Sequence, residues 1–478
     1  MHDGKPCGRD LHDEEYCIFH SKKDDKDVTL FQRGLNEILS VVSVKAHDLT
    51  RFIFPEGVVF PKKFSKPVAF KKAIFRGEAH FNNSLFEKEA DFVGTIFKDR
   101  ANFWGVAFTD GADFYRALFE GDAYLGGAAF TGKANFRETV FKGEANFRDA
   151  FFRGETHFGG AAFKGELYFW NARFKGEAGF RGAVFKGGTY FLYAAFKGEA
   201  DFRDAAFKDK AYFTDATFED TLLINAEIHD KKGFHQEIDF RSVKFSKPEK
   251  VIFQKVDLSK FRFLETDLRG VHFTDVDWNK EKGKGRNMVF DEVFHDPRTK
   301  KPDYTLIAQL YRRLRANYEE NLRYSEAGDF YIGEMEMTRK AQTSIFKKLP
   351  LLFYKTLSNY GESYYRPLGW IAAILLVFPL LFMFAGIQPV NLDRGNPTGD
   401  VVNYRLDFSI IESFAPTWEK LNDYYTCFLY TMSVFSFIRD KKYTTIDNWG
   451  HTLFVVESIL SPVTLAFFLL ALRRRFKR

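Results

Sequence analysis

The sequence has few cysteines, no large excess of charge of either sign, and none of the short motifs that mark common active sites. Three cysteines in 478 residues exclude a disulfide framework and fit a reducing compartment. With 70 basic and 64 acidic side chains, the net charge of +6 is too mild to indicate nucleic-acid binding. No Gly-rich phosphate loop, H-E-x-x-H or G-x-S-x-G motif is found, so we expect no enzymatic activity. We expect no secretory signal peptide, because no basic, apolar and small-residue stretch opens this sequence.

Phenylalanine, in contrast, occurs 58 times and at regular intervals. From Phe70 to Phe218 a large apolar residue recurs at alternating gaps of five and six, in 28 positions of which 27 are Phe and one is Leu125. Such gaps fall on different faces of a helix, and a strand would need a period of two. A solenoid explains the pattern, because each group of five or six residues forms one side of a coil and every ring points to its axis.

The residues around each Phe support a solenoid with tight corners. A small residue, mostly Ala, stands two positions before the ring and leaves room for it. The glycine of the repeated basic-Gly-Glu strings, as at Gly143, Gly154 and Gly165, is expected at a corner with positive φ. Another string recurs as Ala90-Asp91-Phe92, Ala101-Asn102-Phe103, Ala134-Asn135-Phe136, Ala145-Asn146-Phe147 and Ala200-Asp201-Phe202.

These strings resemble the pentapeptide-repeat family, whose signature is A-(D/N)-(L/F)-x-x. The resemblance implies a right-handed, four-sided β-helix with a Phe-ladder core and about four repeats per coil, so the run makes roughly seven coils. At about 4.8 Å per coil, it would be about 34 Å long. The β-helix is predicted over 64–278, with an irregular part at 221–250. Its second run has a strict period of five, in Phe253, Leu258, Phe263, Leu268, Phe273 and Trp278.

The first 25 residues carry a pattern that suits a small zinc-binding tag. Cys7, Cys17 and His20 have the spacing C-x9-C-x2-H, and thiolates and an imidazole at short spacing suit Zn²⁺. The string Tyr-Cys-Ile-Phe-His is similar to tags that precede some pentapeptide-repeat proteins, in which a further Cys lies upstream. Here His2 or His12 would have to complete the tetrahedron. The alternative is two thiols and a surface His without a metal.

Two helical segments are expected to flank the β-helix. Residues 26–63 contain an amphipathic stretch at 27–42, which we expect to cap the open first coil, followed by a segment that leads into the repeats. Residues 279–350 begin as a charged linker with prolines and continue as a helical hairpin from Asp303. The hairpin resembles a single tetratricopeptide-like unit, and a plain helical spacer explains it equally well.

Residues 351–478 are predicted to form a membrane module with two spanning helices. The stretches 369–387 and 452–472 are apolar and, at about 1.5 Å per residue, long enough to cross a bilayer. Basic residues are concentrated before the first stretch and after the second, so the positive-inside rule places both termini in the cytoplasm. We therefore predict a multi-pass protein of the cell membrane, in contact with lipid and with a cytoplasmic solenoid.

Between these helices, 424–438 is apolar, uncharged and too short to span, which suits a re-entrant segment. Helix, re-entrant segment and helix is the plan of a two-helix pore module, and the tail resembles the channel-like tails of some membrane-bound pentapeptide-repeat proteins. Potassium selectivity is not predicted, because the glycines of a potassium filter are missing. The candidate pore residues are Thr431, Ser433 and Ser436, and Glu457 is a candidate intramembrane carboxylate. A Tyr/Phe-rich segment resting at the membrane interface explains the same residues equally well.

Three functions compete. The first is a membrane-anchored scaffold or sensor, whose cytoplasmic rod binds an unknown protein and whose tail forms an oligomeric pore, a tetramer by resemblance. The second is the same scaffold without conductance. The third is mimicry of duplex DNA, as in topoisomerase-protecting members of the family. Residues 70–220 hold 21 basic and 22 acidic residues, a net charge of −1, and this balance argues against the third. Apart from zinc in the tag, no cofactor is predicted.

Overall fold

The computed structural model describes residues 10, 12–13, 15–225, 234, 236–283, 285–294, 302–390, 402, 418–436 and 442–477. The chain divides into two compact units, Met1–Phe330 and Tyr331–Arg478. The first unit is a β-solenoid with a helix at each end, and the second is helical.

The solenoid is built from parallel strands and has four sides and about ten turns. Most strands are two residues long, and each pairs with the equivalent strands of the preceding and following coils. Ala101 pairs with both Ala79 and Ala123, so a regular coil contains 22 residues. Two gaps of five and two of six make up these 22 residues, which explains the alternation in the sequence.

Four sheets form the four sides and follow one another in each coil. Sheet 1 contains His47–Asp48, Val68–Ala69, Ala90–Asp91, Ala112–Asp113, Ala134–Asn135, Thr156–His157, Ala178–Gly179, Ala200–Arg203, Leu222–Asn225, Val251–Gln254 and His272–Thr274. Sheet 2 contains Ile53–Phe54, Ile74–Phe75, Ile96–Phe97, Leu118–Phe119, Val140–Phe141, Ala162–Phe163, Val184–Phe185 and Ala206–Phe207. Sheet 3 contains Ala79–His80, Ala101–Asn102, Ala123–Tyr124, Ala145–Asn146, Leu167–Tyr168, Thr189–Tyr190, Ala211–Tyr212, Ile238–Asp239 and Phe261–Arg262. Sheet 4 contains Lys63–Phe64, Leu85–Phe86, Ala107–Phe108, Ala129–Phe130, Phe151–Phe152, Arg173–Phe174, Ala195–Phe196, Thr217–Phe218 and Lys244–Phe245.

The core of the solenoid is a set of Phe ladders, as the spacing predicts. Every ring of the series from Phe70 to Phe218 is at most 2% exposed. Rings in successive coils are stacked, as in Phe92 and Phe114, whose centroids are 4.7 Å apart. Rings on neighbouring sides meet edge to face, as in Phe92 and Phe103 at 5.6 Å. The interior thus buries large apolar rings in both of their favourable geometries.

The glycines of the basic-Gly-Glu strings do not have positive φ, so that expectation is wrong. Positive φ occurs instead in the five-residue sides, at residues such as Arg116, Glu138 and Asp149. A Cβ at Gly176 would lie 2.6 Å from the carbonyl oxygen of Gly154 in the preceding coil. Glycine is favoured at these corners because stacked backbones approach closely there, and not because the backbone adopts a left-handed conformation.

The described part of 221–250 keeps its strands but changes the length of the coil. Leu222 still pairs with Ala200, 22 residues earlier, whereas Ile238 pairs with Ala211, 27 residues earlier. The five additional residues therefore lie between Asn225 and Ile238, a stretch that contains 226–233, which are outside the described residues. A 3-10 turn, Pro248–Lys250, follows. In the last coil His272 pairs with Ile252, 20 residues earlier, which agrees with the strict period of five there.

A helix covers the first coil. Helix α1 (Val28–Ser40) begins after Asp27, whose side chain accepts a hydrogen bond from the Leu30 N–H group. Its buried residues are Phe31 and Leu35. The Phe31 ring meets the Phe54 ring of the first coil edge to face at 5.7 Å. The helix thus closes the apolar interior at this end of the ladder.

The last coil is covered by α3 (Tyr304–Glu320), which follows the short α2 (Phe290–Val293) and a hairpin of Asn279–Lys280 with Asn287–Met288. The Tyr318 ring stacks on Phe273 at 6.1 Å, and Trp278 Nε1 donates to the Tyr318 hydroxyl oxygen at 3.0 Å. Asn317 Nδ2 donates to two carbonyl oxygens of the coil. The polar edge and the aromatic ladder are therefore both covered at this end.

The second unit contains the end of α4 (Tyr324–Ala341) and four further helices. These are α5 (Ile345–Ser358), α6 (Tyr365–Ala385), α7 (Trp418–Phe435) and α8 (Asn448–Lys477). Helix α6 packs against both α7 and α8. Their shared core includes Phe378, Phe382, Cys427, Tyr430 and Leu453. A strand pair, Ile387–Pro389 with Tyr443–Thr445, lies after α6 and before α8.

Candidate functional site

The predicted N-terminal metal site is described only in part. Cys17 and His20 are both buried, and Cys17 Sγ lies 3.2 Å from His20 Nδ1. A tight turn brings them together, in which the His20 N–H group donates to the Cys17 carbonyl oxygen. Cys7 and His2 lie outside the described residues. Within the residues that are described, no group of three or more His, Cys, Asp or Glu side chains could hold a metal ion.

The surroundings of the Cys17–His20 pair are apolar and contain one buried cation. Phe19, between the two residues, is buried. Lys26 Nζ donates to the Ile53 carbonyl oxygen at 2.7 Å, and burial lowers the pKa of Lys26 to about 8. His12, the other histidine considered as a ligand, has its Nε2 atom 3.9 Å from an Asp25 carboxylate oxygen.

One edge of the solenoid carries exposed aromatic side chains. On the outer face of sheet 3, the rings of Tyr168, Tyr190 and Tyr212 are stacked at 4.9 and 5.2 Å. At the corner between sheets 3 and 4, Trp170 and Tyr193 are 41% and 52% exposed. Sequence reasoning missed this surface, although the 22-residue spacing of the three tyrosines was a signal for it. It is named the aromatic edge and comprises Trp104, Tyr124, Tyr168, Trp170, Tyr190, Tyr193 and Tyr212.

The aromatic edge contains a shallow cavity of about 350 Å³, lined by Arg148, Asp149, Trp170, Asn171 and Tyr193. The Arg148 guanidinium lies over the Trp170 ring at 4.6 Å from its centroid. Asn171 Nδ2 donates to an Asp149 carboxylate oxygen at 2.6 Å, which holds the floor of the cavity in place. Trp, Tyr and Arg are the residues that most often dominate binding between proteins.

Elsewhere on the solenoid, charges of opposite sign alternate along the coils. Glu120 accepts from Lys98 in the preceding coil and from Lys142 in the following one, at 2.7 and 2.9 Å. These hydrogen bonds lower the pKa of Glu120. Arg116 and Glu138 form a similar pair at 2.7 Å. Such ladders give a mixed surface and differ from the uniformly acidic face that duplex-DNA mimicry requires.

Two helices of the second unit are long and apolar enough to cross a membrane, namely Tyr365–Ala385 and the Asn448–Arg474 part of α8. Only 28% and 22% of their most apolar windows is buried, whereas the core helix of a soluble protein is mostly buried. Leu376 and Ile459, for example, are each 60% exposed. The predicted spans thus exist as helices, and α6 ends two residues before the predicted limit of 387 because the chain turns at Gly386.

The described residues of the predicted re-entrant segment are helical, in α7 and the turn after it. Thr431 is buried, whereas Ser433 and Ser436 are not. The Ser433 hydroxyl donates to the Tyr430 carbonyl oxygen and the Ser436 hydroxyl to that of Met432, both at 2.7 Å. The two serine hydroxyls are therefore bonded back to their own helix.

Glu457 lies on α8 and is completely buried. Neither of its carboxylate oxygens has a hydrogen-bond partner among the described residues, and the same holds for the buried hydroxyls of Thr431 and Ser461. A polar group at the depth of an apolar span is costly unless it meets water, an ion or another polar group. Sequence reasoning identified Glu457 and Thr431 and missed Ser461, which stands one helical turn from Glu457.

A second buried carboxylate of this unit, Glu336 on α4, is fully paired. It accepts hydrogen bonds from Lys355 and the Tyr360 hydroxyl, each at 2.8 Å, and from Arg339 at 2.9 Å. Burial alone would raise the pKa of Glu336, but these three donors lower it to about 2. The cluster joins α4, α5 and the turn after α5. No sequence motif marks it, because its members become neighbours only in the folded unit.

The geometry defines the first unit as a β-solenoid with five- and six-residue sides and a Phe core. Residues 70–227 match the family of Pentapeptide repeats (9 copies), in the overlapping segments 70–118, 114–162, 125–173, 136–184, 169–217 and 180–227. This part of the chain is therefore similar to pentapeptide-repeat proteins.

Comparison with individual proteins adds one distant relative. The chain is 27% identical, over 178 residues, to an uncharacterized protein of Methanocaldococcus jannaschii. The aligned part covers 32% of this chain and 36% of that protein, so the chain spans about a third of the length of the relative. No solved structure matches the chain.

Proposed function

We propose that this protein is a membrane-anchored interaction scaffold, multi-pass in the cell membrane, with both termini in the cytoplasm and a solenoid that binds a protein partner. The observation that carries the proposal is the apolar surface of α6 and α8, which stays exposed in the folded unit. Removing such surface from water is favourable by about 25 cal/mol per Å², and lipid provides that environment. The β-solenoid fold is typical of non-enzymatic proteins, which favours a binding role.

Membrane anchoring is tested by fractionation of cells that produce the full chain. We expect it in the membrane fraction after alkaline carbonate treatment, with release only by detergent. Leu376→Lys and Ile459→Lys should reduce insertion, since a lysine in the middle of a span costs about 3 kcal/mol. Leu322→Lys, at a position 71% exposed in the turn after α3, is the matched control. Recovery of the unaltered chain in the soluble fraction would refute the anchor, and protease accessibility of terminal tags in intact cells tests the orientation.

The surface that best suits a protein partner is the aromatic edge. Its cavity brings Arg148, Trp170 and Tyr193 together, and these residue types are enriched at binding hot spots. A photo-crosslinking amino acid at Tyr193 of the full chain should yield a protein adduct in cells, and Trp170→Ala should abolish it. The matched control is the same probe at Glu138, on the diagonally opposite corner of the solenoid. Equal labelling from both corners would contradict the assignment.

A second candidate function is an oligomeric pore that lacks potassium selectivity, most simply a tetramer. It is favoured by Glu457 and Thr431, whose buried polar atoms have no partner within the described part of one chain. Neighbouring copies or a water-filled path would supply such partners. Native mass measurement and ion flux into vesicles test this function. We expect an oligomer, and we expect its ion flux to fall in the Glu457→Gln variant. A monomer that gives no flux would refute the pore and would support the scaffold without conductance.

We also propose that the N-terminal tag binds zinc through Cys7, Cys17, His20 and His2. The support is the buried Cys17–His20 pair, with its sulfur and nitrogen atoms 3.2 Å apart. The purified full chain should contain one zinc per molecule, and Cys17→Ser should release it. Cys427→Ser, which alters a buried thiol of the helical unit, should retain the metal. A metal-free chain with a normal unfolding temperature would refute this site.

A further inference from the structure

Helix α5 presents an almost wholly apolar face to the exterior. Ile345, Phe346, Leu349, Leu352 and Phe353 are 63%, 80%, 43%, 45% and 58% exposed. Their spacing of i, i+1, i+4, i+7 and i+8 places them on one side of the helix. Five large apolar side chains exposed together form a patch of the kind that marks an interaction surface.

The opposite side of α5 is held by the rest of the helical unit, so the apolar face has a fixed direction. Lys355 Nζ lies 2.8 Å from a carboxylate oxygen of Glu336. The Tyr354 ring packs against Tyr360 and Phe467, with centroids 5.7 and 5.5 Å apart. These contacts occupy one side of α5 and leave the apolar side uncovered.

The length and position of α5 indicate how its apolar face is covered. Its 14 residues span about 21 Å at 1.5 Å per residue, too short to cross a hydrocarbon core of about 30 Å. Helix α6, a candidate span, begins only seven residues later. The first turns of α6 also expose large apolar side chains, Tyr365 at 69%, Leu368 at 45% and Trp370 at 48%. Exposed apolar side chains therefore occur both on α5 and at the start of the candidate span that follows it in the chain.

The charges of α5 favour a lipid surface over a protein partner. Its three charged residues, Lys347, Lys348 and Lys355, are all basic. By helical spacing, Lys348 lies at the border of the apolar face, Lys347 lies on the opposite side of the helix, and Lys355 is paired with Glu336. An apolar face with basic residues beside it is the pattern of helices that lie in the interface of anionic membranes.

We propose that α5 is an interfacial helix, which inserts its apolar face at the boundary between headgroups and acyl chains and directs Lys348, at the border of that face, to anionic headgroups. The inference rests on the proposed membrane anchoring of α6 and α8. It adds a second contact with the bilayer, parallel to its surface. A site where basic side chains meet anionic lipid makes this contact dependent on membrane composition.

The test places a benzophenone amino acid at position 346 of the full chain, reconstituted in vesicles of phosphatidylcholine and phosphatidylglycerol. After irradiation we expect the mass of the chain to increase by one phospholipid. The same probe at Leu376 should give this adduct as a control for the span, and the probe at Lys347 should lose it. A covalent dimer from position 346 would mean that a second copy covers the face, and would overturn the inference.

The two proposals fail in different ways. Lipid adducts from Leu376 without any from position 346 would overturn the interfacial helix and leave the membrane anchor intact. Absence of lipid adducts at Leu376 and Ile459 would refute the anchor itself, and the inference with it. In vesicles of phosphatidylcholine alone, the adduct yield at 346 should fall. Lys348→Ala should produce the same loss in the mixed vesicles, and an unchanged yield would refute the role of this lysine.

Discussion

Single residues at the corners of the coil decide how closely successive coils stack. At the six-residue corners that carry glycine, the backbone of one coil lies directly over that of the preceding coil, so an added Cβ would approach its carbonyl group too closely. At the five-residue corner the backbone has positive φ, but the side chain points outward and the position accepts Arg, Glu and Asp. The two corners thus impose different demands, one on volume and the other on backbone conformation.

Gly176→Ala should therefore destabilise the solenoid, by about 2 kcal/mol, because its Cβ would lie 2.6 Å from the Gly154 carbonyl oxygen. Gly159→Ala is the matched control, since its Cβ would lie 3.5 Å from the nearest atom, an ordinary contact. Thermal unfolding of the detergent-purified chain, followed by circular dichroism at the β signal, measures both. Equal effects of the two substitutions would contradict the packing argument.

The charge cluster of Glu336 predicts a dependence on pH. Its folded-state pKa of about 2 is below the ordinary value of 4.5, so its stabilising contribution is present above pH 4.5 and is lost as the pH falls towards 2. Glu336→Gln should lower the stability of the helical unit at pH 7 by about 2 kcal/mol, with a difference that shrinks below pH 4.5. Thermal unfolding across this range tests it, with the surface change Glu319→Gln as control. A difference that persists at pH 2 would contradict the assignment.

At the scale of elements, the solenoid depends on the helices that cover its ends. An open coil presents unpaired carbonyl and N–H groups, which invite pairing with another chain. Helix α3 uses one amide side chain, that of Asn317, to satisfy the carbonyl oxygens of Leu268 and Val271 at 2.7 and 2.8 Å. Arg323 does the same for the carbonyl oxygen of Phe273.

Asn317→Ala should loosen the last coil, at a cost of about 2 kcal/mol, because the carbonyl oxygens of Leu268 and Val271 both lose the side-chain donor of Asn317. Hydrogen exchange of the amides in 268–274 should accelerate, while exchange in the central coils stays unchanged, since repeats interact only with their neighbours. Glu320→Ala, at an exposed position of the last turn of α3, is the control. Faster exchange along the entire solenoid would contradict a local sealing role.

The elements differ in how well their sequence predicts them. The Phe ladders were predicted from spacing, because every coil repeats the same alternation of five- and six-residue gaps. An irregularity in one coil therefore does not obscure the pattern in the others. The apolar helices were predicted from composition, because a span needs only length and apolarity. The Glu336 cluster and the exposed face of α5 were not, because both depend on which side of a helix the rest of the unit covers. The extra five residues before Ile238 likewise follow no repeat that fixes their place.

At the scale of the whole molecule, the two units place different demands on their solvent. The solenoid unit buries its rings completely and exposes alternating charges, whereas the helical unit exposes large apolar side chains on α5, α6 and α8. We therefore expect the units to be separable in their solubility.

A chain that ends at Ala341 should accumulate in the soluble fraction after cell breakage, with a circular dichroism spectrum dominated by β structure. It keeps the solenoid, its first helix and the α3 cover of its last coil. A chain that ends at Phe294 lacks α3 and should aggregate, because the edge groups of the last coil are then unsatisfied. Insolubility of the longer fragment would contradict the independence of the solenoid unit.

The 22-residue coil is also a fixed structural unit, because residues 22 positions apart lie on the same side of the solenoid. Deletion of 137–158 would remove one whole coil and join Phe136 to the residue that follows the equivalent Phe158. The shortened solenoid should therefore fold with the residues of each side still aligned along its length. Deletion of only 137–147 would remove half a coil. It would keep the spacing of the Phe residues but rotate all later residues by half a turn about the solenoid axis. Tyr168, Trp170 and Tyr193 would then emerge on the far side from Trp104 and Tyr124. Gain or loss of whole coils during evolution would therefore keep the aromatic edge continuous, whereas gain or loss of half a coil would divide it between two opposite corners.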